Sequence, residues 1–319
     1  MRVNFIVENN RGLKYLGCST ASIHLYNTLK KKGVDVYLNA RGEKFDILHA
    51  HTFGPLALSQ KKKAHISIIS AHSTPSINIG NIITGDRRFW RGVYRRIYNS
   101  FDYVLAVSNT SIDELRDIGV TKPIYVLENG VDRNLFKYDK ERGEEFRKEH
   151  GFSEEDFVVL NVAQVTPRKG VYDFIEVARR NPDIKFIWIG GFPYLIASSD
   201  YLKLRVLTRN PPPNIVFTGF VEDIIGAYSG ADILFAPTYR ETFGLTILEA
   251  LSCNLPVLVR PLRVFKELFN EEILYGNNIE EFSRILSNKP RERYISSLPD
   301  KYDLDRIADK LINIYEELT

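Results

Sequence analysis

Two glutamates, Glu241 and Glu249, stand eight positions apart in the stretch PTYRETFGLTILEA, residues 237–250. A helix is expected to start close to Thr242, with the first acid ahead of its N-terminus and the second about two turns inside. An acid in front of a helix favours its dipole, which is reason enough for Glu241. It does not account for Glu249. Leu245, Leu248 and Leu251 bracket that residue, on a helix set between the buried-looking strands DILFAP and PVLVR. A carboxylate there loses its hydration unless hydroxyls or cations meet it. Sugars and riboses offer such hydroxyls, and the amides of Phe243, Gly244 and Leu245 can meet a phosphate or a sugar oxygen. One acid with the amides can therefore grip a sugar, and the other a ribose.

Other residues suit the same chemistry. NVAQVTPRKGVYDF (161–174) reads as strand, loop and helix, with Arg168, Lys169 and Gly170 in the loop. Cations beside helix-terminal amides make an anion site, although a solvated basic turn capped by Gly170 has the same composition. FIWIGGFPY ends a strand in Gly190-Gly191, where a backbone can approach a ligand closely. It is not the G-x-G-x-x-G fingerprint, and no acid follows at the spacing a dinucleotide ribose needs. His72 follows the strand ISIIS, at a carboxyl edge where ligands gather, although a lone histidine is as readily a packed residue. His49 and His51 have a metal-like spacing but no apparent third ligand; they read as structural or acceptor-side. Asp303-Leu304-Asp305 opens the last helix and reads as a cap rather than a metal site, so no metal is expected.

What must position these groups is a run of short apolar strands alternating with amphipathic helices, in both halves of the chain. The strands lack clean alternation, as in parallel sheets buried on both faces. The expected fold class is α/β: two Rossmann-like, doubly wound domains facing across a cleft, with the ligand at the carboxyl ends of the strands. Residues 1–150 are expected to form the first domain, joined by a C-terminal helix at 303–319, and 151–302 the second. The charged stretch 132–156 reads as a linker or surface helix between them.

Charge is uneven. The first 150 residues carry 24 Lys and Arg against 16 Asp and Glu, and the remainder 19 against 24. Between 47 and 101 there are eight bases and one acid, which calls for an anionic partner. GDRRFWRGVYRRIYNSF (85–101) sets Trp90, Tyr94, Ile97 and Phe101 on one helical face beside Arg87, Arg88, Arg91 and Arg95. The stripe reads as packed on the sheet, with the arginines available to an anionic membrane or a phosphate-bearing acceptor. Interleaved basic and aromatic residues of the single-strand-binding kind are missing, so nucleic acid is not the expected partner. The opening MRVNFIVENN runs straight into a strand without the apolar core of a signal peptide, and two cysteines share no redox or metal spacing. A cytoplasmic protein is expected, peripheral on the inner face of the cell membrane where the basic segment meets lipid.

PTYRETFGLTILEALSCNLPVLV resembles the signature of family 4 glycosyltransferases, retaining enzymes of the glycosyltransferase-B fold, with its paired glutamates in E-x-F-G-x-x-x-x-E-A. DILHAHT, SAHSTP, YVLAVSN, ENGVD, PRKG and GADILFAP follow the family's order along most of the chain. The resemblance implies that Glu241 contacts hydroxyls of the donor sugar and Glu249 the donor ribose. It implies that Lys169 and Arg168 neutralise the diphosphate, that His72 sits at the reacting sugar, and that Gly17 lets the first loop approach donor or acceptor. Gln164 stands where the family commonly has Arg, which leaves Arg168 to supply that cation; Asn254 replaces a frequent Gly, and the first loop lacks an adjacent Gly-Gly pair. A narrower stretch, residues 163–192, is similar to bacterial enzymes that glycosylate diacylglycerol or glucosyl-diacylglycerol.

The expected function is retaining transfer of a hexose from a UDP- or GDP-sugar to a hydroxyl of a lipid or glycan acceptor, without cofactor or metal. A soluble or polysaccharide acceptor is the alternative. A second class stays open as well, a basic surface-binding module with a degenerate sugar site, which would bind with steep salt dependence and release no nucleotide.

Overall fold

The computed structural model describes residues 1–8, 17–78, 81, 87–192, 195–269, 273–290 and 298–319. It divides into two compact units, Met1–Asn78 with Gly85–Asp132 and Pro299–Thr319, and Ile79–Thr84 with Arg133–Leu298.

The first unit is a six-stranded parallel sheet in the order β2-β1-β3-β4-β5-β6. Its strands are β1 (Arg2–Ile6), β2 (Asp35–Leu38), β3 (Phe45–Ala50), β4 (Ala64–Ala71), β5 (Tyr103–Ala106) and β6 (Ile124–Val126). The apolar runs read from the sequence are these strands, and Val3, Phe5, Ile47, Ile68 and Leu105 are buried among them. The terminal helix Leu304–Leu318 lays Ile307, Leu311, Ile314 and Tyr315 into that core. Asp303 caps it, its carboxylate accepting from the Asp305 amide, so the Asp-x-Asp pair works as a helix start.

The second sheet is also six-stranded and parallel, in the order β12-β11-β10-β7-β8-β9. It consists of β7 (Val158–Val162), β8 (Lys185–Ile189), β9 (Ile215–Gly219), β10 (Ile233–Ala236), β11 (Val257–Val259) and β12 (Leu274–Tyr275). Counted from β7, this is the doubly wound order whose direction reverses between β7 and β10, and ligands bind at such a reversal. Phe174, Phe186, Trp188 and Phe235 pack on one face of the sheet. Strand β12 escaped the sequence reading because two residues at an edge carry no pattern.

Two expectations change. The charged stretch after residue 132 supplies the helix Lys140–Glu149 to the second unit, so the division falls at Asp132–Arg133 rather than at 150. The reason is close packing: Gly143 lies against the backbone of Ser229 and Gly230, where a β-carbon would stand 2.8 Å from a carbonyl carbon. The helix after Glu241 begins at Leu245, not near Thr242. Gly244 has φ +102°, which no right-handed helix accommodates, so the helix can start only beyond it. Glu249 is therefore little more than one turn inside.

Candidate active site

The loops that leave β7 and β10 meet at the reversal of strand order, and hydrogen bonds lock them together. The Arg168 carbonyl accepts from the Tyr239 amide at 2.9 Å and from Thr238 Oγ1 at 3.2 Å, while Arg168 Nη1 donates to the Arg240 carbonyl at 2.7 Å. Gly170, at φ +78°, lies so close to Pro237 that a β-carbon would sit 2.3 Å from its carbonyl oxygen. Only glycine permits that approach.

This contact delivers Lys169 to Glu241. Nζ and Oε2 are 2.5 Å apart, and Arg168 Nη1 lies 3.5 Å from the same oxygen. The three side chains are 18, 13 and 4% exposed, so water screens the charges weakly. Burial pushes the Glu241 carboxyl up, but Lys169 and Arg168 outweigh it and hold the group at about 2. Burial lowers Lys169, with Glu241 opposing. Glu241 Oε1 also accepts from the Thr242 amide at 3.2 Å. A cavity beside the pair is lined by Asn161, Thr238, Gly244, Thr246 and Phe265, all from the second unit. In the helix Leu245–Ser252 the Ile247 amide already closes on the Gly244 carbonyl, so the amides of Leu245 and Thr246 precede the first internal bond. Phe243 itself is buried.

Glu249 is in a different state. Its Oε2 accepts from Tyr228 Oη at 2.7 Å. Burial raises the carboxyl to about 7, and the tyrosine bond offsets only part of that. The two glutamates thus differ sharply: one is a paired anion at every physiological pH, the other is poised between charged and neutral. The geometry brings Glu241, Lys169 and Arg168 together; Glu249 has its own partner, Tyr228, which its sequence position did not reveal.

The same end of β7 carries further polar groups. Both side-chain atoms of Asn161, Gln164 Oε1 and Arg168 Nε are buried with no protein hydrogen-bond partner. Burying such groups unpaired costs about 1–3 kcal/mol each, as is tolerable where a polar ligand binds. The sequence reading also missed a brace behind the loop. Arg260 donates to the carbonyls of Pro237 and Asn277 and pairs with Asp173, which in turn accepts from Tyr239 Oη. An arginine closing the apolar strand PVLVR was the available signal. Gly190 and Gly191 end β8 as expected, and the close approach at Gly190 is the protein's own: at φ +126° a β-carbon would stand 2.0 Å from the Ala163 carbonyl oxygen.

In the first unit His49, His51 and His72 follow one another in a column, and Phe5 packs against the first two. His49 is fully buried and bridges Tyr315 Oη at 2.6 Å and Ser70 Oγ at 2.8 Å, a structural tie between β3, β4 and the terminal helix. His51 Nδ1 contacts His72 Nε2 at 3.0 Å. Burial lowers His72 to about 4, so it is neutral at physiological pH and works as a polar rather than a charged group. Gly17 opens the helix Gly17–Lys31, but the loop at 9–16 that it was expected to serve lies outside the described residues.

The basic helix spans Arg87–Tyr98, so Phe101 falls beyond it, though it is still buried. Tyr94 and Tyr98 are buried, Trp90 is half-buried against Phe89 and Tyr94, and Arg88, Phe89 and Arg95 are exposed. Arg91 is tied to Asp117 at 2.6 Å, and the side chain of Arg87 lies outside the described residues. Among the described residues, no helix is long and apolar enough to cross a membrane, and no group of three or more His, Cys, Asp or Glu could hold a metal ion.

Residues 19–135 match the family model described as Glycosyltransferase Family 4, and residues 143–288 match that described as Glycosyl transferases group 1. The processive diacylglycerol alpha-glucosyltransferase of Acholeplasma laidlawii is 29% identical, with 100% of this chain and 98% of that one covered. The alpha-galactosylglucosyldiacylglycerol synthase of Streptococcus pneumoniae is 32% identical over 73% of this chain and 63% of its own. Among solved structures, Anabaena HepE in complex with UDP-glucose superposes with a TM-score of 0.81 at 18% identity, covering 99% of this chain and 100% of that one. A sucrose-phosphate synthase from Thermosynechococcus elongatus also reaches 0.81, at 15% identity, over 99% and 98% of the two chains. At such identities the likeness is one of fold.

Proposed function

Because this chain belongs to glycosyltransferase family 4, with the glycosyltransferase-B fold, we propose that it transfers a hexose from a nucleotide diphosphate sugar to a hydroxyl of a membrane glycolipid, with retention at the anomeric carbon. The observation that carries the proposal is the buried cluster of Glu241, Lys169 and Arg168 at the reversal of strand order. The acceptor reading is supported by two relatives whose names describe glycosylation of diacylglycerols, one of them matched over 98% of its length.

In this reading Glu241, ionised throughout, accepts hydroxyls of the donor sugar, and Lys169 shares its protons between Glu241 and the diphosphate. Arg168 and the amides of the Leu245–Ser252 helix take up the rest of the leaving-group charge, so the residues supply electrostatic stabilisation without a metal. The acceptor oxygen approaches the anomeric carbon on the face that the phosphate leaves. The new C–O bond forms as the C–O bond to phosphate breaks, and the acceptor proton passes to the departing phosphate oxygen. Glu249 holds the ribose, and His72 is offered as a neutral rather than a charged polar group. Arg88 and Arg95, exposed on a helix with no acid, meet anionic lipid from the cytoplasmic side.

The test is a thermal-shift panel of UDP- and GDP-hexoses, followed by turnover with diacylglycerol and glucosyl-diacylglycerol in EDTA. A donor at ~100 times its Kd stabilises the chain by ~2.7 kcal/mol. No shift with any nucleotide sugar would overturn the donor assignment. Loss of turnover in EDTA would overturn metal independence, and a product of inverted configuration would overturn retention.

A further inference from the structure

The helix Tyr201–Arg209 in the second unit buries one side through Leu204, which is fully inaccessible. Its opposite side is not the polar face expected of a surface helix. Leu202 is 77% exposed and Val206 62%, and Leu195, just before the helix, is 62% exposed. Leu202, Val206 and Arg209 follow the i, i+4, i+7 spacing of one face, and Lys203 and Arg205 flank it. The helix contains three cations and no acid. Asp200, which precedes it, is engaged with Tyr172 Oη at 2.7 Å. Lys203 lies over the Tyr172 ring, and Arg205 lies over Tyr201, to which it also donates. Both flanking cations are laid down on aromatic rings beside the aliphatic ridge.

Apolar side chains scattered singly over a surface need no explanation, but a ridge flanked only by cations does. We propose that the outward face of the Tyr201–Arg209 helix docks on an anionic lipid surface. The aliphatic side chains enter the boundary between headgroups and acyl chains, and Lys203, Arg205 and Arg209 meet the phosphates. Charge complementarity favours lipid over a second copy of this chain, since a like-charged helix meeting itself sets cation against cation. The inference extends the glycolipid reading to the second unit, on residues separate from both the candidate site and the Arg87–Tyr98 helix.

The experiment is co-sedimentation of the full chain with vesicles of phosphatidylcholine, alone or mixed with phosphatidylglycerol, and without any glycosyl acceptor. Leu202→Ser with Val206→Ser is expected to weaken partitioning by about tenfold or more. Reversal of Lys203, Arg205 and Arg209 to Glu should cost more than about fivefold per residue on anionic vesicles and nothing on neutral ones. Nucleotide-sugar thermal shifts should stay at wild-type size in both variants, which separates this inference from the donor assignment. Wild-type partitioning in both variants overturns it. Loss of binding only on charge reversal of Arg88, Arg95 and Arg96 also overturns it, while leaving the lipid reading intact. A fall from dimer to monomer on serine substitution would assign the face to self-association instead.

Discussion

Replacing Lys169 with Met keeps the aliphatic stem and removes the charge that Glu241 faces at 2.5 Å. The native environment holds the Glu241 carboxyl at about 2, against 4.5 for the free group. That difference corresponds to about 3 kcal/mol of stability at neutral pH. Breaking a buried ion pair from one side costs about 3–5 kcal/mol, and Arg168, still 3.5 Å away, places this case at the lower end. The contribution is fully present above 4.5 and is lost as pH falls through about 2. Arg168 and the Thr242 amide remain in Lys169→Met and go on holding Glu241 down, so its deficit is expected to be at most about 3 kcal/mol at pH 7 and to narrow below 4.5. The double variant with Glu241→Gln should lose less than the sum of the two single ones, because no charge is left unpaired. Urea unfolding followed by tryptophan fluorescence reads this directly. The chain has two tryptophans, and with Trp90→Phe as background the signal comes from Trp188, fully buried in the core of the second unit. Turnover should fall about 100- to 1,000-fold. A single variant within about 0.5 kcal/mol of wild type, or a deficit equal at pH 7 and pH 3, would refute the coupling of Lys169 to Glu241.

Glu249 predicts the opposite pH behaviour. With its carboxyl raised from 4.5 to about 7, the native state holds more protons than the unfolded one in that window, so stability should fall by about 3 kcal/mol as pH rises across it. Glu249→Gln should flatten that slope in urea midpoints, and Tyr228→Phe should push its upper limit higher. As the proposed ribose contact, Glu249 should also make donor affinity rise about tenfold from pH 6 to pH 8 by calorimetry, an increase absent in Glu249→Gln. For the brace, Arg260→Ala should lower kcat/KM by about a hundredfold by letting the Pro237–Glu241 loop drift, with partial rescue by Arg260→Lys. Wild-type kinetics in Arg260→Ala would show that the loop does not depend on the brace.

The strands were legible because a strand buried on both faces must be apolar at nearly every position, and RVNFI, VVLNV and ILFA satisfy that locally. The terminal helix was legible for a similar reason, since Ile307, Leu311, Ile314 and Tyr315 repeat at helical spacing. The start of the helix after Glu241 was misplaced because Thr242 is a plausible first residue until the left-handed backbone of Gly244 is seen. Glu249 drew attention as a misplaced acid, yet the hydroxyl it meets comes from a tyrosine 21 residues away.

The sequence by itself determined the alternation of strands and helices, the chemical types gathered in the PRKG and ETFGLTILEA segments, and the surplus of cations in the first half. These are local properties, set by which side chains neighbour one another along the chain. The tertiary structure alone decided that Lys169 neutralises Glu241 across 72 residues, that Tyr228 meets Glu249, and that Arg260 braces the loop through Asp173 across 87. Such pairings depend on strand order, which brings β7 beside β10, and on burial, which turns a weak surface attraction into one that sets the charge of a carboxylate.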